Sequence, residues 1–197
     1  MRGKLITIYG INNIGKSTQC GLLVEKLKEA GHKVHYVKYP VYDVQPSGGF
    51  INGVLRSEGE QHISEDELQL WFIINRYQFQ PTLEGWLEEG AIVVAEDYVG
   101  TGIAWGMAKG LEEDWLIGAN KNLIKEDFAL MIEGERSLGA VEKTHVHEQN
   151  DELIERSRAV HDHLAEEFGW ERVLLQDKKP DTAKLIWEKV EKFLKES

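Results

Sequence analysis

The chain's 197 residues are enough for one domain with a full hydrophobic core and too few for two comfortable ones. With 42% hydrophobic and 29% charged residues and no apolar run near the ~20 residues of a bilayer span, the composition is that of a soluble globular protein and excludes a membrane-spanning helix. A formal net charge of −11 without any Lys/Arg cluster argues against an extended nucleic-acid surface, and leaves small anions to local pockets. Behind the one apolar stretch of "MRGKLITIYG" there is no small-residue cleavage site, so no secretion signal is expected. Cys20 is the only cysteine, which excludes an intramolecular disulfide and makes the cytoplasm the simplest compartment. A packing role is expected for it, with a reactive thiol as the alternative.

In chain order, short β-rich runs alternate with longer helical patterns. "LITIY" (Leu5–Tyr9) is followed by a helix over Ser17–Ala30, and "KVHYVKY" (Lys33–Tyr39) by an aperiodic stretch over Tyr42–His62. A helix over Ser64–Glu89, with a break near Pro81, leads to "AIVVAE" (Ala91–Glu96) and to helices over Gly100–Lys109 and Glu113–Asn120. "FALMIE" (Phe128–Glu133), a second aperiodic stretch over Gly134–His147 and a helix over Glu148–Phe168 come next. "RVLLQ" (Arg172–Gln176) and a helix over Thr182–Lys195 complete the pattern. Apolar residues recur at three and four in the helices, as in Leu22, Leu23, Leu27 and Leu185, Val190, Leu194. Strand–helix alternation predicts right-handed βαβ units, hence a five-stranded parallel sheet flanked by helices in a single α/β domain. Aperiodic stretches this long in a small domain are expected to be lids or binding loops, the one near 134–148 above all.

Between the first strand and the first helix, "YGINNIGKSTQ" contains Gly10, Gly15, Lys16 and Ser17 in the complete pattern G-x-x-x-x-G-K-[ST]. The glycines permit backbone conformations in which successive N–H groups, from Asn12, Asn13 and Ile14 through Ser17, converge on phosphate oxygens at a helix N-terminus. Lys16 adds a full charge, Ser17 offers a hydroxyl to Mg²⁺, and Thr18 helps orient the phosphates. Strand before and helix after is the context this chemistry requires, and it makes the fold a P-loop NTPase-type three-layer sandwich with ATP and Mg²⁺ as the expected ligands.

From this point the sequence resembles the thymidylate kinases, a family of P-loop nucleoside monophosphate kinases, in motifs that follow the right order over most of the chain. The family's phosphate loop reads like EGIDGAGKSTQ. Its Arg-Phe-Pro after strand two is matched by Lys38-Tyr39-Pro40, and its helix with a phenylalanine four residues before an arginine by "FIINR", Phe72 to Arg76. "LEEGAIVVAEDYVGTGIAWG" follows its third strand and small-residue helix, while "EDFALMIEGE" and "HEQNDELIERSRAVHDHLAEEF" resemble its fourth strand and lid helix. The resemblance implies ATP-dependent phosphorylation of a small deoxynucleoside monophosphate, dTMP to dTDP, by a homodimer. It implies that Phe72 stacks on the acceptor base and Arg76 bonds its edge, that Asn12, Lys38, Tyr39, Asp97 and Tyr98 line the acceptor pocket, and that Glu96 holds Mg²⁺ with Ser17. Lys178 and Pro180 would pack on adenine, although a plain turn with Asp181 capping the next helix explains the same residues. Trp105 would belong to a dimer surface or to the core.

The departures from the family pattern concern charge. The arginine that grips the acceptor's phosphate after the third strand is Asp97 here, and a second family arginine falls near Tyr42 and Asp43. The phosphate-loop aspartate is Asn12. Charge that builds during transfer would then be met by Arg136 or Lys143 from the lid, or by Arg156 and Arg158 behind it. Two readings of the acceptor follow: a monophosphate whose clamp is rebuilt from Lys38, Arg56 or Lys109, or an uncharged deoxynucleoside with Asp97 or Glu96 as base. A nucleotide-binding protein that has lost the acceptor reaction is the third. His145, His147 and Glu148 lack the ligand count of a structural metal site, and His161 and His163, two apart on a helix, cannot share a face.

Overall fold

The computed structural model describes residues 2–56, 63–135 and 151–197. Five strands, β1 (Lys4–Tyr9), β2 (Val34–Lys38), β3 (Ile92–Glu96), β4 (Phe128–Glu133) and β5 (Glu171–Leu174), form one parallel sheet in the order β2-β3-β1-β4-β5. Seven described helices connect them: α1 (Lys16–Glu29), α2 (Ser47–Leu55), α3 (Glu65–Glu88), α4 (Val99–Ala108), α5 (Glu113–Asn120), α6 (Asp151–Glu167) and α7 (Lys179–Glu196).

Strand alternation builds the layers. Ile6 and Ile8 of β1, with Ile92 and Val94 of β3, face a core shared with Leu23 and Leu27 of α1 and Ile186 and Val190 of α7. Leu5 and Tyr9, with Val93 and Ala95, face the opposite core, filled by Leu83 and Leu87 of α3, Ile103 of α4, Leu116 of α5 and Leu164 of α6. Both faces of the sheet are therefore buried, which is why its strands read as nearly continuous apolar runs. Cys20 lies fully buried in the first of these cores, and burial, followed by the charges of Glu96 and Asp97, pushes its thiol pKa up, so it packs and does not react.

Three elements differ from the sequence expectation. The stretch over Tyr42–His62 contains α2, whose "SGGFINGVL" carries three glycines and hides its period; Ile51 and Leu55 packed on Leu68 of α3 outweigh the poor propensity. The break expected near Pro81 is absent, and α3 runs unbroken from Ser64, whose hydroxyl accepts from Glu67 N at 3.2 Å. Pro81 and Tyr77 both face solvent, so the carbonyl that loses its helical partner remains hydrated. Finally, α7 begins three residues early with Lys178 as N-cap, and Asp181 sits in its first turn instead of capping it.

From β1 the chain moves toward β2, and from β3 it crosses to β4 on the other side of β1. The carboxyl ends of β1 and β3 therefore flank the crevice where ligands of open α/β sheets bind. Register sets Glu96 beside Ile8 on one side and Lys38 on the other. Asp97 N donates to Ile8 O at 3.2 Å and Tyr39 N to Glu96 O at 3.0 Å, which carries the ladder past the strand ends and fixes both following loops.

Candidate active site

The loop after β1 takes the shape its sequence calls for. Gly10 has φ +138°, and a Cβ there would lie 2.8 Å from the Ile132 carbonyl; Gly15, at φ +100°, is the N-cap of α1. Asn13 adopts the left-handed conformation that asparagine tolerates, while the Ile14 side chain turns into the core beneath the loop. The first turn of α1 carries no acidic residue and no side-chain cap, so its free N–H groups and its dipole are left to an anion.

At the end of β3 the carboxylate of Glu96 is almost fully buried, at 1% exposure. Ser17 Oγ donates to its Oε1 at 2.7 Å, Lys38 Nζ lies 2.9 Å from the same oxygen, and the Tyr36 hydroxyl donates to Oε2. Burial acts to raise the Glu96 pKa, but the hydrogen bonds from Lys38, Tyr36 and Ser17 outweigh it and hold the carboxyl below the ordinary glutamate value. An ionised carboxylate and a hydroxyl in contact form a hard-oxygen pair that fits Mg²⁺.

Lys16 Nζ donates to Gly10 O at 2.8 Å and Ile11 O at 3.0 Å and lies 3.6 Å from Asp97 Oδ1. Asp97, at φ +59°, also accepts from Thr101 Oγ1 at 2.7 Å. Burial pushes its carboxyl above the ordinary aspartate value against the pull of Lys16. The carboxylate that stands in the place of a phosphate-gripping arginine is thus committed to the phosphate-loop lysine and the first turn of α4.

One cavity of about 530 Å³ joins this charged end to a ring-lined end. Asn12, Asn13, Lys16, Ser17 and Thr18 line it on one side, and Tyr39, Phe72, Arg76, Tyr98 and Trp105 on the other. Phe72 is half-buried, with part of its ring on the α2–α3 cluster and part on the cavity, so packing and lining are both true of it. The Arg76 guanidinium lies across Gly102, where a Cβ would come within 2.1 Å of Nη2, and its Nη1 donates to Asn120 Oδ1 at 3.0 Å. Its buried Nε and the buried Tyr39 hydroxyl have no hydrogen-bond partner among the described residues. Tyr98 donates to Ile124 O at 3.1 Å and packs against Tyr39, with ring centroids 5.0 Å apart. A pocket lined by these rings, with a guanidinium among them, suits a planar, polar-edged heterocycle.

Some expected residues fall elsewhere. Lys178 and Pro180 are exposed and lie outside the cavity wall, to which their neighbour Lys179 belongs. Trp105 is in that wall as well, half-buried against the α1 core. Arg136, Lys143, His145, His147 and Glu148 lie outside the described residues, as does most of the 134–148 segment. Arg158 donates to Gly134 O at 2.7 Å, at the threshold of that segment, while Arg156 is exposed. His163 pairs with Glu113 and Glu167 on the surface, outside the cavity, whereas His161 is buried on the other face of α6. Two positioning residues were given no role from the sequence: Asn120, which holds Arg76, and Asn75 of the "FIINR" motif, which holds the β2–α2 loop. The Asn75 amide accepts from Val41 N at 2.8 Å and donates to Val41 O and to Ser47 Oγ, each at 2.9 Å.

The family model for thymidylate kinase matches residues 8–184, a stretch that contains every element of this site. The chain belongs to the thymidylate kinase family. It is 32% identical over 134 residues to the thymidylate kinase-like protein of Invertebrate iridescent virus 6, covering 68% of this chain and 62% of that protein. It is 30% identical over 175 residues to the thymidylate kinase homologue of Thermococcus kodakarensis, covering 83% of this chain and 84% of the relative. The chain spans about three fifths of the viral relative's length and of the zebrafish enzyme's, where the share is 61%. Thymidylate kinase from Candida albicans superposes with a TM-score of 0.80 at 24% identity, over 97% of this chain and 92% of that one, and so shares its fold. No helix among the described residues is long and apolar enough to cross a membrane.

Proposed function

We propose that this chain transfers the γ-phosphoryl group of ATP to dTMP, forming dTDP and ADP, with Mg²⁺ as the metal. An oxygen of the acceptor's phosphate bonds to the γ-phosphorus as the bond to the β–γ bridging oxygen breaks, and that electron pair leaves on ADP. The observation that carries this reading is the continuity of the cavity: the bare N-terminus of α1 and the Ser17–Glu96 oxygen pair open into the same space as Phe72, Tyr39 and Arg76. Mg²⁺ held by Ser17 and Glu96 would neutralise phosphate charge during transfer.

The chain's own residues supply the rest. Lys16, already at the mouth of the loop, needs only to exchange the carbonyls of Gly10 and Ile11 for phosphate oxygens. Phe72 offers its face to the acceptor base, and Arg76 offers its guanidinium, which Asn120 keeps in place. Asn12 and Tyr98 flank the sugar. Arg136 and Lys143, in the segment proposed as a lid of this single domain, are the cations assigned to the transferring group, and closure would exclude water and spare ATP from hydrolysis. Lys178 and Pro180, beside Lys179 of the wall, are placed at the adenine. The proposed assembly is a cytoplasmic homodimer. Leu70, Ile74 and Tyr77 support it, being exposed at 46%, 39% and 37% on one stripe of α3.

The test is ADP release with ATP and Mg²⁺ over a panel that includes dTMP, other deoxynucleoside monophosphates and thymidine, with Lys16→Ala as the negative control. Turnover of dTMP is expected. Turnover of thymidine without turnover of dTMP, or ATP binding with no acceptor used at all, would overturn the assignment.

A further inference from the structure

We propose that Arg56, at the C-terminal end of α2, is the cation that engages the acceptor's own phosphate. The inference rests on the dTMP reading above and deepens it, because it says which residue distinguishes a nucleotide from a nucleoside in this chain.

The chain carries a net charge of −11, yet among the described residues Lys16, Lys38, Arg56, Arg76, Lys109 and Lys179 line the cavity against Glu96 and Asp97. Such a local reversal of sign is built for anions. Most of these cations are already committed. Lys16 is held by the loop carbonyls and Asp97, Lys38 by Glu96, and Lys109 by Glu65 at 2.6 Å. Arg76 is deeply buried, bonded to Asn120 and pressed on Gly102. Lys179 belongs to the donor side, since its carbonyl accepts from Gln19 of α1 at 3.1 Å.

Arg56 stands apart from them. No carboxylate among the described residues pairs with it, and its guanidinium lies over the Tyr42 ring, 5.9 Å from the centroid. Tyr42, Leu55 and Arg56, from the β2–α2 loop and the end of α2, all line the cavity wall. The arginine that the family motif leads one to expect near Tyr42 and Asp43 is missing from the sequence, and the fold brings a guanidinium over the Tyr42 ring from fourteen residues further along. A planar guanidinium with a free fork grips a phosphate monoester through two parallel hydrogen bonds, which an ammonium does not reproduce. The contact with the Tyr42 ring restrains the guanidinium at the cavity wall without using its hydrogen-bond donors. Asp97 does not oppose this arrangement, because its charge is countered by Lys16 and its Oδ1 is bonded to Thr101.

Arg56→Ala and Arg56→Lys, made in the full chain, test the assignment. Arg56 is exposed, so both variants should keep the wild-type melting temperature. Calorimetric titration of dTMP and of thymidine, with steady-state kinetics in both substrates, reads the phosphate separately from the base. Arg56→Ala should weaken dTMP roughly 10- to 100-fold while leaving thymidine affinity and the KM for ATP unchanged. Arg56→Lys should recover part of the loss. Unchanged dTMP affinity in Arg56→Ala, or equal weakening of dTMP and thymidine, would overturn the inference while the kinase reading stands. A wild-type chain that neither binds nor phosphorylates dTMP would remove the kinase reading and this inference with it.

Discussion

Close packing gives single residues of the site their consequences. Arg76 works against its burial: Nη1 is satisfied by Asn120, Nε has no hydrogen-bond partner among the described residues, and the guanidinium keeps that pose because Gly102 leaves room beneath it. Gly102→Ala would push the fork aside without touching the phosphate loop. The expected outcome is a KM for the acceptor raised about tenfold or more at an unchanged KM for ATP, because ångström-scale misplacement of a recognition group carries penalties of this order. An acceptor KM equal to wild type would show that Arg76 does not contact the acceptor. Asp97 teaches a related lesson about charge: read in a line of sequence it opposes a phosphate, and in space it is the counter-ion of Lys16.

At the scale of elements, α2 exists because of its partners. Its three glycines disfavour a helix by about 1 kcal/mol each, and the compensation comes from Ile51 and Leu55 against α3 and from Asn75, which bonds both Val41 and Ser47. Asn75→Ala should leave Val41 N and O and the Ser47 hydroxyl short of partners, at a cost of about 2–4 kcal/mol. In thermal denaturation this corresponds to a fall of roughly 5–15 °C. A shift under 2 °C would mean that the loop does not depend on it. Helix α6 carries a pH signature of its own. His161 is buried, with Nδ1 bonded to Ser157 O at 2.8 Å and Nε2 unpartnered, and burial pushes its pKa down from 6.5 to about 4. Below pH 6.5 the unfolded chain takes up a proton that the folded one refuses, so this contribution is complete above that pH and is lost as pH falls toward 4. Urea denaturation should show a loss of about 3 kcal/mol over this window, at up to ~1.4 kcal/mol per pH unit. In His161→Gln that part of the slope should vanish; an unchanged slope would assign the acid sensitivity to other groups.

For the whole molecule, the sheet order concentrates function at one edge. A parallel sheet ordered β2-β3-β1-β4-β5 brings the ends of β1, β2 and β3 together, where they meet residues of α2 and α3 in one cavity. The same architecture leaves the outer stripe of α3 uncovered. If that stripe closes a homodimer, Ile74→Glu should give a monomer in sedimentation velocity at concentrations where the wild type sediments as a dimer, since a charge at the centre of an apolar contact is desolvated without a partner. A wild-type chain that is monomeric at those concentrations would exclude the dimer.

Sequence by itself determined the strands and the helical layers, because a sheet buried on both faces forces apolar runs and flanking helices must be periodic. It also determined the phosphate loop, whose work is done by backbone amides within eight consecutive residues, so that no distant partner is needed to recognise it. Tertiary structure alone decided what depends on contacts between segments far apart in the chain. Glycine-rich α2 became a helix through packing on α3, and Pro81 was absorbed because its lost bond faces water. Asp97 turned to Lys16, Asn120 took hold of Arg76, and Arg56 came to rest over Tyr42. Each of these outcomes is set by distance and burial, quantities that a linear sequence holds only implicitly.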